Sequence, residues 1–255
     1  MNDLIDKFNK LEIKTKKGAK CSKNGNKYEQ DIYNIVKFTT LNNKPFNTQK
    51  IEDLGGSKSC NDLECNFEKE KDIGIEIKKA KTPDWMQCSL KKINNIWSGS
   101  EKGKIPLKSR EIFNKILEKI KLFDGETPPF LQKKMKYAEW CEIKEKNNIY
   151  NDVYINIPDN IINKLYLEKG CKYIQISDYG LYRLDEDICN FNVPLFRIKQ
   201  HMRIRIKVHS TGNEKKCCKL SIMASCQPID IKTLEKSPYT LDDKERLPLN
   251  LIYSL

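Results

Sequence analysis

No run of apolar residues in this chain approaches the roughly 18 that a membrane-spanning helix needs, and the mean hydropathy is −0.68. Both count against a membrane protein. The first residues lack the apolar stretch of a secretory signal, so the expected location is inside a cell, in cytoplasm or nucleus, a viral origin being equally compatible. Histidine is scarce: His201 and His209 are the whole supply, and they share one short segment. That poverty leaves little for His-dependent catalysis. Cysteine is plentiful, at 10 residues, yet no CxxC occurs; the nearest approaches are Cys60 with Cys65 and the adjacent Cys217 and Cys218. A structural zinc site needs four closely grouped ligands, so scattered reduced thiols are the expectation. There is no internal repeat.

What is present begins with charge. Lys and Arg number 47 against 35 Asp and Glu, a net charge of +12. A surplus of that sign favours polyanions, because each phosphate neutralised releases condensed counterions; abundant Lys, Asn and Ile also fit a chain that is merely Lys-rich. Residues 1–24 read as a basic arm, with Lys14, Lys16, Lys17 and Lys20 close together. Tyr28, Ile32, Ile35 and Val36 then follow helical spacing. Two β-like segments come next, through Leu63, Cys65 and Phe67 and through Ile73, Ile75 and Ile77, joined by a charged turn.

Thr82-Pro83-Asp84 has the form of a helix start, and Met86, Leu90, Ile93 and Trp97 mark one face of the helix it predicts. Further helices are predicted over 109–123, 129–144 and 159–169, and strands over 153–157 and 173–177. Residues 179–228 read as β-rich, with Tyr173, Tyr179 and Tyr182 filling a sheet core or stacking on bases. The last 25 or so carry no readable pattern.

Hydrolysing a phosphodiester calls for a cation on the phosphate and a deprotonated water in line with the leaving oxygen. Two carboxylates at the ends of adjacent strands offer Mg²⁺ the oxygen ligands it prefers. A Lys two residues beyond one of them shares its face, because strand side chains alternate. Asp62 on the first strand and Glu76-Ile77-Lys78 on the second meet this requirement. The pattern D/E-x-K is cheap in a Lys-rich chain and recurs from Glu12, Glu142, Glu214, Asp230 and Asp242. Glu76 differs in lying on the alternating run Ile73 to Lys78, where it and Lys78 oppose three isoleucines. A cross-strand ion pair is the structural alternative, and it leaves Asp62 unexplained.

The series Gly25 and Glu29, then Asp62, then Glu76-Ile77-Lys78, then Gln87 resembles the PD-(D/E)XK nuclease superfamily, which includes type II restriction enzymes, archaeal Holliday-junction resolvases and phage λ exonuclease. The resemblance covers residues 25–97; Asn61 stands where many members have Pro. It implies that Asp62 and Glu76 bind metal, Mg²⁺ with Mn²⁺ as a substitute, and that Lys78 orients water. It implies assisting roles for Glu29 and Gln87 on flanking helices, of which the plain alternative is a solvated acid and a surface amide.

His201 to His209 alternates without a break. His201, Arg203, Arg205, Lys207 and His209 share one face, Met202, Ile204, Ile206 and Val208 the other, and Leu220, Ile222, Ala224 and Cys226 repeat the apolar alternation on a returning strand. Such a ribbon suits phosphate or major-groove contact; the alternative is an edge strand whose charges discourage aggregation. The expected protein is therefore α/β, a restriction-endonuclease-like core with a mixed central sheet flanked by helices over 25–178. It would carry a helical insertion near 105–147 and a β-rich C-terminal extension over 179–255 that touches DNA. The expected activity is Mg²⁺-dependent DNA endonuclease, with a resolvase, an exonuclease or a non-catalytic DNA-binding protein of the same fold as alternatives. DNA is the expected partner, no membrane is, and a homodimer is an assembly the class allows.

Overall fold

A computed structural model describes residues 25–46, 48–49, 61–68, 71–82, 84–100, 105–213 and 215–254. The basic arm expected over 1–24 lies outside them. In chain order the elements are helix α1 (25–36), then β1 (Thr39–Leu41), β2 (Lys44–Pro45), β3 (Thr48–Gln49), β4 (Leu63–Glu68) and β5 (Lys71–Lys78). Next come β6 (Trp85–Ile93), β7 (Ile96–Gly99), helices α2 (Leu107–Leu117) and α3 (Tyr137–Lys146), β8 (Val153–Ile157) and α4 (Ile161–Leu167). The remainder is β9 (Cys171–Ile176), β10 (Gly180–Arg183), β11 (Gln200–Ser210), β12 (Lys219–Pro228) and β13 (Leu251–Tyr253). The class is mixed α/β with several sheets, and no helix among the described residues is long and apolar enough to cross a membrane.

Two compact units share this chain. The first takes Met1–Thr82, Gly170–Phe196 and Glu235–Leu255, the second Pro83–Lys169 and Arg197–Leu234. The division does not run linearly as expected: residues beyond 178 are split between the units, and β11 and β12 belong with the inserted segment.

In the first unit, five strands run in the order β10-β9-β5-β4-β3, beside a three-stranded sheet β13-β1-β2. The expected hairpin is present: β4 and β5 are antiparallel, Leu63 opposite Ile75 and Cys65 opposite Ile73. The strands reach further into the charged stretch than the spacing predicts. Pairing of β5 with β9 is parallel, which makes the sheet mixed, and β9 is buried along both faces apart from Lys172, as an interior parallel strand should be. Ile73, Ile75 and Ile77 enter the core with Ile32 and Val36 of α1 and with Leu63, Cys65 and Tyr173. Burial of each isoleucine contributes on the order of 1.5–3 kcal/mol. The turn from β9 to β10 ends at Gly180, whose φ is +105°; a Cβ there would stand 2.4 Å from the carbonyl oxygen of Tyr239.

The C-terminal residues, unreadable as pattern, are tied to this sheet by side chains. Gln175 donates to Thr240 Oγ1 at 2.8 Å and to the Tyr28 hydroxyl at 3.1 Å, and its Oε1 accepts from the Leu241 N–H at 3.0 Å. Tyr28 in turn donates to Asp242 at 2.6 Å. Burial first, and the Asp242 carboxylate second, push the Tyr28 phenol far above its ordinary range, so it is a fixed neutral donor.

The second unit holds a sheet in the order β7-β6-β12-β11-β8. Here one expectation fails outright: residues 84–97 form the hairpin of β6 and β7, not a helix. The reason is local. Met86 has φ +33° and sits at a bulge, with Gln87 opposite Ser225 but Trp85 opposite Cys226. The extra residue lets both Trp85 and Met86 be buried, which disguises strand alternation as helical spacing. Asn94 and Asn95, at φ 49° and 64°, supply the left-handed pair of a tight hairpin turn. The predicted helix over 109–123 is α2, which ends earlier, and that over 129–144 becomes a short 3-10 turn followed by α3. The predicted strands and helix of 153–177 appear as β8, α4 and β9. Every cysteine among the described residues is a free thiol.

Candidate active site

Asp62 lies one residue before β4, and the register that sets Leu63 opposite Ile75 sets Asp62 opposite Glu76. The carboxylate is anchored by the strand itself: the Ile77 N–H donates to Asp62 Oδ2 at 2.8 Å. Lys78 Nζ reaches the same oxygen at 3.2 Å, the Ile77 carbonyl oxygen at 3.0 Å, and Glu76 Oε1. The sequence-predicted trio is therefore one cluster in which three oxygens converge on one ammonium. Glu76 is 2% exposed, whereas the side chains of Asp62 and Lys78 keep 17% each. The strand end carrying Lys78 is fixed in turn, since Ser177 N–H donates to the Lys78 carbonyl at 2.9 Å and the Ala80 N–H to Ser177 Oγ at 3.0 Å.

Behind Glu76 stand two residues that sequence reading passed over. The Cys171 thiol lies 3.7 Å from Glu76 Oε2 and 3.1 Å from Asn61 Oδ1, and Asn61 Nδ2 donates to Glu64 Oε1 at 3.2 Å. Asn61 fits because residue 74 has no side chain: a Cβ on Gly74 would fall 2.5–2.7 Å from the Asn61 carboxamide. Asn61 is itself buried and engaged at both ends, so it has no cheap retreat. Gly74→Ala is expected to destabilise the protein by about 1–3 kcal/mol, read as a fall in the urea midpoint; an unchanged midpoint would show that Asn61 is not held there.

The chemistry of the donor set suits a hard divalent ion. Two carboxylate oxygens and one carbonyl oxygen surround a point already taken by a positive charge, and Mg²⁺ is bound by few carboxylates with water and phosphate completing its shell. No group of three or more His, Cys, Asp or Glu side chains among the described residues is placed to hold a metal ion, so a metal here would rest on Asp62, Glu76 and the backbone. Glu29 is half-buried on α1, next to Tyr28, whose ring lies 5.8 Å from the ammonium of Lys79. Gln87 departs from expectation: it is exposed on β6 of the second unit, on a strand and not on a helix.

No protein-family model, curated protein or solved structure matches this chain.

The alternation of His201 to Lys207 holds, but over Gln200–Ile204 β11 is no edge, since it pairs with β12 on one side and β8 on the other; from Arg205 to Ser210 its paired strand among the described residues is β12 alone. Its cations are answered within the unit. Arg203 donates to Asp152 Oδ2 through Nε at 2.9 Å and Nη2 at 2.5 Å, and reaches Asp84 at 3.4 Å. Arg205 meets the other Asp84 oxygen at 2.6 Å. Burial opposes the Arg203 charge, and its contacts with Asp152 and Asp84 outweigh that, raising its pKa. Asp84, with its side chain 7% exposed, also accepts from Ser225 at 2.8 Å and from Gln227 Nε2 at 2.6 Å. That contact turns Gln227 Oε1 toward His201 Nε2, 2.7 Å away, which must then carry the proton. His209 sits 2.6 Å from Ser221 Oγ, and partial burial, helped by Lys207, lowers its pKa. Of the five groups expected to meet DNA, only Lys207 is a cation without an ion pair among the described residues.

Proposed function

We propose that this protein is a Mg²⁺-dependent DNA endonuclease with a PD-(D/E)XK site on a restriction-endonuclease-like core. The observation that carries the reading is the convergence of Asp62, Glu76 and Lys78 at the ends of two paired strands. A second support is the mixed sheet, in which the strand bearing Glu76 and Lys78 runs parallel to β9 after a long inserted segment. Magnesium, or manganese in its place, supplies when bound the positive charge that draws electrons from the scissile phosphate. Asp62 and Glu76 hold their carboxylates ready for it, fixed by the Ile77 N–H and by Cys171. Lys78 holds a proton donor beside both carboxylates and orients the attacking water. Glu29 lends a further carboxylate from α1. Target recognition falls to the second unit, whose sheet presents Lys207 and Gln87.

The test is incubation of supercoiled plasmid with Mg²⁺, with and without chelator. Discrete fragments mark a sequence-specific endonuclease; cleavage restricted to branched DNA or to ends marks a resolvase or an exonuclease; an untouched plasmid, with branched and linear DNA equally intact, marks a binding protein. Within that assay Lys78→Ala is expected to lose activity by about 10²-fold or more, as loss of a positioned charge-stabilising group does. Lys79→Ala and Lys81→Ala should keep most of it, because Lys79 faces the Tyr28 ring and Lys81 is exposed. Equal losses in all three would mean a diffuse basic patch and no positioned lysine.

A further inference from the structure

The second unit contains a cavity of about 550 Å³ at the end of the β11–β12 hairpin, within the range of roughly 300–1,000 Å³ typical of small-molecule sites. One wall is the segment around Met135, fastened to the hairpin by the Cys218 N–H and thiol, which donate to the Met135 carbonyl at 3.0 and 3.3 Å. Phe130, Met135 and Leu220 contribute apolar lining; Lys134, Lys219 and the hydrogen-bonded pair of His209 and Ser221 contribute polar lining. The Phe130 ring is not loose. It meets Trp140 edge-on, with centroids 5.1 Å apart and an interplanar angle of 84°.

The cations around this cavity differ in what answers them. On the sheet face, Arg203 and Arg205 are answered by Asp152 and Asp84, and in the cavity lining itself Lys133 is taken by Glu139 at 2.7 Å. Lys134 and Lys219 have no ion pair among the described residues. Lys207 lies on the same sheet face, directly opposite Ser221. Two cations without an ion pair among the described residues thus stand where a fixed aromatic ring and neutral hydrogen-bonding groups are also gathered. A bare phosphate would leave Phe130 unused, and an apolar ligand would leave the two lysines unused. A nucleotide uses both.

We propose that this cavity binds one nucleotide, with its phosphate on Lys134 and Lys219 and its base against Phe130. The proposal deepens the nuclease reading, and rests on it for the expectation that the nucleotide belongs to a DNA strand. The experiment uses the full chain carrying Glu76→Gln, with chelator present, so that nothing is cleaved. A short fluorescent oligothymidylate is titrated by anisotropy and competed with free dTMP and with inorganic phosphate. Phe130→Ala is expected to weaken oligonucleotide binding by roughly 5–150-fold, the worth of one base stack. Lys134→Gln with Lys219→Gln should lower the salt slope by about 0.7 per contact removed.

Phe130→Leu, which keeps apolar packing against Trp140 but offers no ring, should behave like Phe130→Ala and so separates stacking from a folding defect. Competition by dTMP would identify a site open to free nucleotides, and binding of the oligonucleotide alone a site for the strand; either supports the proposal. Absence of binding, indifference to all these replacements, or inorganic phosphate competing as well as dTMP would overturn it. Plasmid cleavage by the unaltered protein reads the nuclease assignment separately, so either can fail without the other.

Discussion

Glu76→Gln and Asp62→Asn are each expected to reduce Mg²⁺-dependent DNA cleavage by at least about 10²-fold while leaving DNA binding intact or tighter. A metal-held phosphate gains several kcal/mol of transition-state stabilisation, and each 1.36 kcal/mol is tenfold in rate. Neutralising one of the two ligand carboxylates weakens the hold on the cation. It also leaves the Lys78 ammonium less compensated, which favours the phosphate in the ground state. Glu76→Gln should have the larger effect, because Glu76 is nearly inaccessible and a carboxamide there must find partners against Lys78 and Cys171. Single-turnover cleavage in Mg²⁺, with binding measured in parallel in Ca²⁺, reads both quantities. Cleavage near the unaltered rate in either variant would remove these residues from the site.

The largest effect on stability is expected at Asp84. Its carboxylate accepts from Arg203, Arg205, Ser225 and Gln227, so Asp84→Ala leaves two guanidinium groups and two neutral donors short of an acceptor in a poorly hydrated place. Loss of one partner from a buried ion cluster costs about 3–5 kcal/mol. Asp84→Asn should cost less, since one amide oxygen can still accept. Asp152→Ala should also cost less, because that carboxylate keeps 28% exposure and water can take over its role. Urea unfolding curves for the three variants check the order; equal and small losses would mean that the cluster is solvated and contributes little.

The candidate site was legible in the sequence because a strand pair writes its geometry locally. Alternation from Ile73 to Lys78 set the face, and a short charged connection set the antiparallel partner that brings Asp62 opposite Glu76. Cys171 and Asn61 were not legible. The first reaches Glu76 through a parallel pairing formed across a long insertion, and the second is placed by the missing side chain of Gly74; neither leaves a periodic trace. Gln87 was assigned to a helix because the Met86 bulge shifts the apolar pattern by one residue, and the tight Asn94–Asn95 turn carries no glycine to announce it. The cationic face of β11 was read correctly as a face. What it meets depended on Asp84, which the local pattern had offered as an acid in the first turn of a helix. C-terminal residues 240–242 carry no signal of their own because their anchor is a glutamine, Gln175, buried in a distant strand.

The interleaving of the two units sets an order in which the chain can fold as it is made. Synthesis delivers β5 well before β9, its parallel neighbour, and between them comes most of another unit whose own β6 must wait for β12. Thr39–Leu41 pairs early with Lys44–Pro45, but its other partner, Leu251–Tyr253, follows only after both stretches of the second unit. Neither unit is therefore complete at any early length of nascent chain, and the usual advantage of finishing an N-terminal domain first is lost. Pairings this distant in sequence are slow to close, and until they do the open edges of β1, β5 and β6 offer themselves to other chains. Aggregation during expression, more than instability once folded, is the hazard built into this topology, and slower translation or a lower temperature is the remedy that follows from it.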